Sequence, residues 1–307
     1  MDSPILGIEI GGTKLQIVCG EAGGKITRQQ RFAVDPASGA EGIRGNIESH
    51  LSKLRTQTSI QAIGVGFGGP VDWGTGVIAR SHQVEGWSGF DLSTWLKSLT
   101  GARVVVDNDA NVAALGEALS GAGRGFASVF YVTLGSGVGG GMVLDGKIYH
   151  GATPGESEIG HLRLDRSGTI VESACSGWAV DRAIRNLPES ERRGALWNLT
   201  RGMQAGEASM LSKALAAKDP AAERILRETS QTLAFALSHV THLLHPQVII
   251  IGGGLSNIGD PLRAAVEAAL PHDIMDVFKP GPLIRLAGLK ENAVPIGALH
   301  LAEPRNV

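Results

Sequence analysis

VVVDNDANVAALGEALSGAGRGFASVFYVTLGSGVGGG, residues 104–141, holds most of the information about how this chain is built. An apolar strand (104–106) runs into the polar triplet Asp107-Asn108-Asp109 and a helix (110–120). A second apolar strand (128–134) then ends in a glycine loop at 135–141. Two readings of the triplet stand. An Asp or Asn ahead of a helix is a common N-cap, because its side-chain oxygen accepts an unpaired N–H of the first turn. One cap needs one residue, however, and a carboxylate at a strand end is also a place for a base. A glycine loop offers backbone N–H groups to phosphate. Both lie within about thirty residues, and phosphoryl transfer is the chemistry they suggest together.

The loop matches the letters GxGxxG, but a dinucleotide fingerprint opens a helix. Here residues 142–144 are strand-like and Asp145-Gly146 is a hairpin turn signal. The oxidoreductase reading falls on that point. The same strand, glycine turn, strand layout occurs at residues 5–19, where Glu9 ends the first strand and Gly11-Gly12-Thr13-Lys14 makes the turn. That turn is no Walker loop, since GxxxxGK[ST] is absent. It reads either as a plain hairpin or as a phosphate site, with Thr13 and the glycine amides on phosphate and Glu9 on hydrated Mg²⁺. One device used twice, about 125 residues apart, predicts two similar lobes.

The remaining pattern alternates strands and helices, which gives an α/β class. Strands are expected at 25–34, 62–67, 248–251 and 283–286, and helices at 41–54, 92–99, 221–244, 261–270 and 293–302. Ile43, Ile47, Leu51 and Leu54 share one helical face. Trp87 either faces a ligand, with Gln83 and Glu85, or plugs the core. Glu156, Glu158 and His161 crowd a Gly-rich loop, as metal ligands or as partners of sugar hydroxyls. His239, His242 and His245 suit a helix C-terminus or a metal. Gly253 and Gly254 follow a buried strand, where α/β folds meet ligands.

Composition narrows the class. The 307 residues are 43% hydrophobic and 19% charged, ordinary for a globular protein of two domains. A net charge of −2 offers no basic field to nucleic acid or membrane. The two cysteines, Cys19 and Cys175, make neither a disulfide framework nor a four-cysteine metal site, and a cytoplasmic location is expected. The opening MDSPILGIEI has no signal-peptide pattern, and no apolar run reaches the length of a membrane span.

Taken in order, these motifs resemble the ROK family (repressors, open reading frames, sugar kinases) over essentially the whole chain. IEIGGTK (8–14) resembles its first phosphate motif, and GFGGPVD (66–72) with EGW (85–87) its connecting and sugar-loop regions. VVVDNDANVAALGE (104–117) resembles the catalytic-Asp segment, and LGSGVGGGMVLDGKIYHGATPGESEIGH (134–161) the second phosphate motif with its sugar-binding residues. IIIGGGLS (249–256) resembles the adenosine motif. The resemblance implies an actin-like ATPase (ribonuclease-H-like) α/β fold with two lobes and a central cleft. The lobes are expected at 1–117, with helix 293–307 packing back on it, and at 118–292.

It further implies an ATP-dependent sugar kinase of the hexokinase or glucokinase type, acting with Mg²⁺ as a homodimer. Asp109 is then the general base. Gln83, Asn108, Glu158, His161 and Glu172 hold the sugar. Glu9, Gly11, Gly12, Thr13, Lys14, Gly135, Ser136, Gly137, Gly253 and Gly254 serve the nucleotide. The alternative is a non-catalytic sugar-sensing regulator without a DNA-binding domain, since none is expected ahead of the first strand. Three departures stand out. Glu9 replaces the usual Asp, and Gln83 a usual Asn. The family's CxCGxxGCxE segment, which binds structural zinc with the His, is replaced by LRLDRSGTIVESACSG after His161. Zinc needs about four ligands in a structural site, so no metal site is expected here.

Overall fold

The computed structural model describes residues 4–81, 84–153, 155 and 157–304. In chain order its elements are β1 (Ile5–Ile10), β2 (Lys14–Glu21), β3 (Lys25–Ala33), α1 (Gly39–Arg55), β4 (Ala62–Phe67), β5 (Val71–Asp72) and β6 (Val77–Ile78). Then come α2 (Leu92–Thr100), β7 (Arg103–Asn108), α3 (Asp109–Ser120), β8 (Ser128–Leu134), β9 (Val138–Leu144) and β10 (Lys147–Ile148). The helices α4 (Val171–Cys175), α5 (Gly177–Arg185), α6 (Ala195–Thr200), α7 (Leu211–Ala216) and α8 (Pro220–Leu244) follow. β11 (Val248–Gly252), α9 (Asp260–Ala269), β12 (Leu283–Leu286) and α10 (Ala293–Ala302) complete the chain.

Two compact units form. The first is Met1–Ala127, Gly141–Ser157 and Gly288–Val307; the second is Ser128–Gly140 and Glu158–Ala287. A division at residue 117 would cut α3, which runs unbroken to Ser120 within the first unit.

In the first unit the sheet order is β3-β2-β1-β4-β7, with β1, β4 and β7 parallel and β2 and β3 antiparallel to their neighbours. Every residue of β1 and β4 is buried, as continuous apolar runs covered on both faces require. One cover is α1, whose Ile43, Ile47, Leu51 and Leu54 are buried as their spacing predicts. Each such side chain contributes about 1.5–3 kcal/mol on burial. Trp87 belongs to the same core: it is 1% exposed and lies edge-on to Phe67 and Phe90 at centroid distances of 5.3 and 5.5 Å. Of its two readings, the core plug is the one observed. The other cover is α10, which carries the small residues Gly297 and Ala298 where it rests directly on backbone. A Cβ at Gly64 would overlap the carbonyl of Ala298 at 1.9 Å.

The register sets the site. Ile10 pairs with Phe67, and Phe67 with Asn108. Gly11, Gly68 and Asp109 are therefore the next residues after the carboxyl ends of three adjacent parallel strands.

The second sheet has the order β10-β9-β8-β11-β12, with β8, β11 and β12 parallel. Strand for strand it repeats the first, β8 standing for β1 and β9 for β2. The Asp145-Gly146 signal is the β9–β10 turn, with φ of 48° and 72°. In the second unit α8 starts at an Asp219 cap on Ala221 and Ala222 N–H and stops at left-handed His245, before Pro246. No helix among the described residues is long and apolar enough to cross a membrane.

Candidate active site

Asp109 opens α3 directly after β7. Its Oδ2 lies 3.4 Å from where a Cβ on Gly68 would sit, and Gly11 Cα lies 3.5 Å from that same point. The carboxylate is therefore at the strand ends, beside the first glycine turn, and Gly68 leaves the approach open. Asn108 is the helix cap: its Oδ1 accepts from Ala110 N at 2.8 Å and Asn111 N at 3.3 Å, and its Nδ2 donates to Gly69 O at 3.2 Å. The N-cap reading thus holds for Asn108.

The first turn is closed by Gly11 N donating to Lys14 O at 3.0 Å, with Gly12 and exposed Thr13 at its tip. Glu9 is buried behind it. Lys14 Nζ lies 3.1 Å from Glu9 Oε1, and Gln16 Nε2 donates to Oε2. Burial pushes the Glu9 carboxyl above its ordinary range, against the pull of Lys14 and Gln16.

Sequence reasoning missed the group behind Asp109. Asp107, 2% exposed, accepts at Oδ1 from Asn108 N (2.8 Å) and Asn111 Nδ2 (3.0 Å), and its Oδ2 meets His150 Nε2 at 2.7 Å. His150 in turn stacks on Trp73 at 4.2 Å. Asn111 Nδ2 also reaches Gly155 O at 3.5 Å. These bonds fix the backbone on both sides of Asp109. The only signal in the sequence was the excess of polar residues over what one cap needs.

In the second unit the glycine loop is closed by Gly135 N on Gly137 O at 3.0 Å, with Ser136 between them. Glu172, in the first turn of α4, accepts from Val138 N at 3.0 Å through Oε2. Glu158 and His161 bracket a short turn, with His161 N on Glu158 O at 3.1 Å, and both are exposed. That turn backs onto β9, where a Cβ at Gly160 would overlap Val138 O at 2.1 Å. Glu158, His161, Glu172 and the loop 135–137 therefore gather around one residue, Val138.

Between His161 and Glu172 the chain folds as a tight hairpin. Arg163 bridges Ile170, Leu164 N donates to Thr169 O at 2.8 Å, and Val171 N donates to Leu162 O at 3.1 Å. Asp165 closes its tip by accepting from Ser167 Oγ, Gly168 N and Thr169 N, which holds its carboxyl well below the usual range. Cys175 is fully buried, and burial pushes its thiol up to about 12, so it stays a neutral thiol. Among the described residues no group of three or more His, Cys, Asp or Glu is placed to hold a metal ion.

Other expected residues lie differently. Gly253, with φ of 78°, packs on the backbone of Leu134, the residue before the second loop, while Gly254 faces open space. His239 Nδ1 pairs with Phe235 O, His242 Nε2 accepts from Met275 N, and His245 stacks on Phe278. Each has a local structural partner. Gln83 and Glu156 fall outside the described residues.

Comparison with known proteins agrees with this layout. The model of the ROK family matches residues 5–305. A glucokinase of Halalkalibacterium halodurans is 31% identical over 308 residues, covering 95% of this chain and 92% of that protein. A kanosamine kinase of Amycolatopsis mediterranei is 32% identical over 254 residues, covering 82% of this chain and 80% of that one. Among solved structures, a ROK family glucokinase from Streptomyces griseus in complex with glucose and AMPPNP superposes with a TM-score of 0.85 at 28% identity, covering 98% and 99% of the two chains. The fold is accordingly the α/β fold of that enzyme, with its two five-stranded sheets, and the chain belongs to the ROK family.

Proposed function

We propose that the chain is an ATP-dependent sugar kinase that transfers the γ-phosphoryl group to a hydroxyl of a hexose or amino sugar, with Asp109 as general base. It is a phosphotransferase of the glucokinase type. The observation that carries the reading is the Asp109 carboxylate at the ends of β1, β4 and β7, beside Gly68 and the first glycine turn. Relatives that phosphorylate glucose and kanosamine support both a neutral and an amino sugar as acceptor. The AMPPNP in the Streptomyces griseus enzyme supports ATP as donor.

The sugar oxygen attacks the γ-phosphorus while its proton passes to Asp109. The bond from γ-phosphorus to the β–γ bridging oxygen breaks, and ADP leaves. Such transfer needs positioning and charge neutralisation more than covalent catalysis. Asp107 and Asn108 hold the backbone of the base; Glu158, His161 and Glu172 orient sugar hydroxyls. Each glycine turn offers N–H groups to phosphate, and Thr13 and Ser136 add hydroxyls. Lys14 brings positive charge to the first turn. Mg²⁺ would arrive with the nucleotide, as is usual for an ion that keeps most of its waters, and would neutralise phosphate charge. Glu9 is the acid that would hold it through water. The Asp165-tipped hairpin carries the segment after His161 without zinc, and metal analysis finding one zinc per chain would reject that. The enzyme works in the cytoplasm as a homodimer, which sedimentation would check.

The test is ADP release from Mg-ATP across a panel of hexoses and amino sugars. Sugar-dependent release should fall about 10²–10⁴-fold in Asp109→Asn, with sugar binding retained. Unchanged turnover removes Asp109 from the base role. Silence across the panel, with sugars still raising the melting temperature, points to the non-catalytic sensor instead.

A further inference from the structure

Val138 joins two groups that the proposed reaction uses separately. Its N–H is bound by Glu172 Oε2, and its carbonyl lies against Gly160, in the turn that carries Glu158 and His161. The loop just before it, residues 135–137, is the second phosphate turn. The same α4–α5 segment grips that loop again at its start, where Gly177 N donates to Gly135 O at 2.7 Å. The fit at Gly137 is close: a Cβ there would lie 2.4 Å from Glu172 Oε2. Glu172 is only half-buried, and a carboxylate has acceptor sites for about four donors. Holding Val138 N–H uses one of them.

We infer that Glu172 couples the sugar site to the phosphate loop, so that sugar binding tightens nucleotide binding. The inference rests on the reading of Glu172 as a sugar ligand. A sugar hydroxyl donating to Oε1 fixes the carboxylate, whose Oε2 then keeps Val138 N–H engaged and the loop in one arrangement. The ordering of the loop is met once, by the sugar, and the nucleotide binds a loop already set. Linkage makes the effect reciprocal: AMPPNP tightens sugar by the same factor.

Isothermal titration calorimetry on the intact chain tests this with AMPPNP-Mg²⁺ as nucleotide and, as sugar, the panel member that gives the largest rise in melting temperature. In the wild type the AMPPNP Kd should fall at least about fivefold when the sugar is saturating. In Gly137→Ala the methyl group drives the carboxylate off Val138 N–H while Glu172 stays in the chain. At a sugar concentration that saturates this variant, the AMPPNP Kd should be the same with and without sugar. Glu172→Gln, nearly isosteric, keeps an acceptor for Val138 N–H and serves if the first variant does not fold. It should weaken sugar about tenfold or more while leaving AMPPNP affinity without sugar unchanged. A wild type that binds both ligands with no change in Kd, or with a weaker one, overturns the coupling alone. Coupling that persists in Gly137→Ala does the same. A wild type that binds AMPPNP but stabilises with no sugar of the panel overturns the kinase reading, and the inference with it.

Discussion

The turns at residues 11–13 and 135–137 have the same length and occupy the same place in two sheets of the same strand order, yet they are furnished differently. The first has an acid in its own strand. Glu9 is the penultimate residue of β1, and Lys14 and Gln16 on the paired strand hold it. At the matching place in β8 stands Thr133, and the carboxylate that serves the second turn comes from α4, 34 residues beyond Val138. β7 likewise ends in Asp107-Asn108, with Asp109 next, whereas β12 ends in Arg285-Leu286. The acids beside the glycine turn thus sit at the strand ends of one sheet and are imported to the other. A repeated architecture fixes where the glycine turns lie, and does not fix where the acid beside each comes from.

The largest expected effect breaks the acid-rich end. Asp107→Ala leaves Asn108 N–H, the Asn111 amide and His150 without their acceptor in a buried site. It should lower unfolding free energy by about 2–4 kcal/mol in urea titration, and lower kcat more than it raises KM, because it shifts the backbone carrying Asp109. His150→Leu keeps bulk against Trp73 and removes one donor, so its cost should be about 1–2 kcal/mol. Equal stability of Asp107→Ala and wild type would show that these bonds do not hold the segment that carries Asp109.

The next contrast compares the turns directly. A Cβ on Gly11 meets only Lys14 O at 3.4 Å, an ordinary contact, whereas one on Gly137 collides with Glu172. Gly137→Ala should therefore cost about 1–3 kcal/mol, as Val138 N–H loses its partner in a buried strand, and Gly11→Ala within about 0.5 kcal/mol of wild type. Denaturant midpoints that move equally would erase the difference between the two turns.

These contrasts also show what sequence could and could not reveal. The β1–β2 acid is legible because strand pairing is local: residues 9, 14 and 16 come together once the turn is recognised. The doubling of the strand–turn–strand device predicted two similar lobes, and two sheets of one strand order are found; the buried face of α1 followed from spacing alone. Asp107 with His150 could not be read, since 43 residues and the fold of β9–β10 intervene. Glu172 was assigned to the sugar, but its bond to Val138 depends on where α4 docks. Trp87 stayed ambiguous because a tryptophan near glycines fits a pocket or a core equally well, and only packing against Phe67 and Phe90 separates them. Local pattern carries the strand-borne acids; the imported one needs tertiary structure.

The smallest effect concerns the charge on Glu9. Burial raises its pKa above the ordinary value, and Lys14, with a side chain 38% exposed, offsets only part of this. A carboxyl whose folded pKa lies above its unfolded one contributes stability that is complete below the unfolded value, near 4.5, and is lost as pH rises through the folded one. Glu9→Gln removes that titration and keeps the acceptor for Gln16. The stability of wild type minus that of Glu9→Gln should therefore fall as pH rises from about 4 and level off once Glu9 is ionised in the folded chain. A difference that rises over the same range would mean that the Lys14 pair outweighs burial. The first turn would then hold its acid by attraction, as the second holds Glu172 by hydrogen bonding, and the contrast between them would narrow to where the acid comes from.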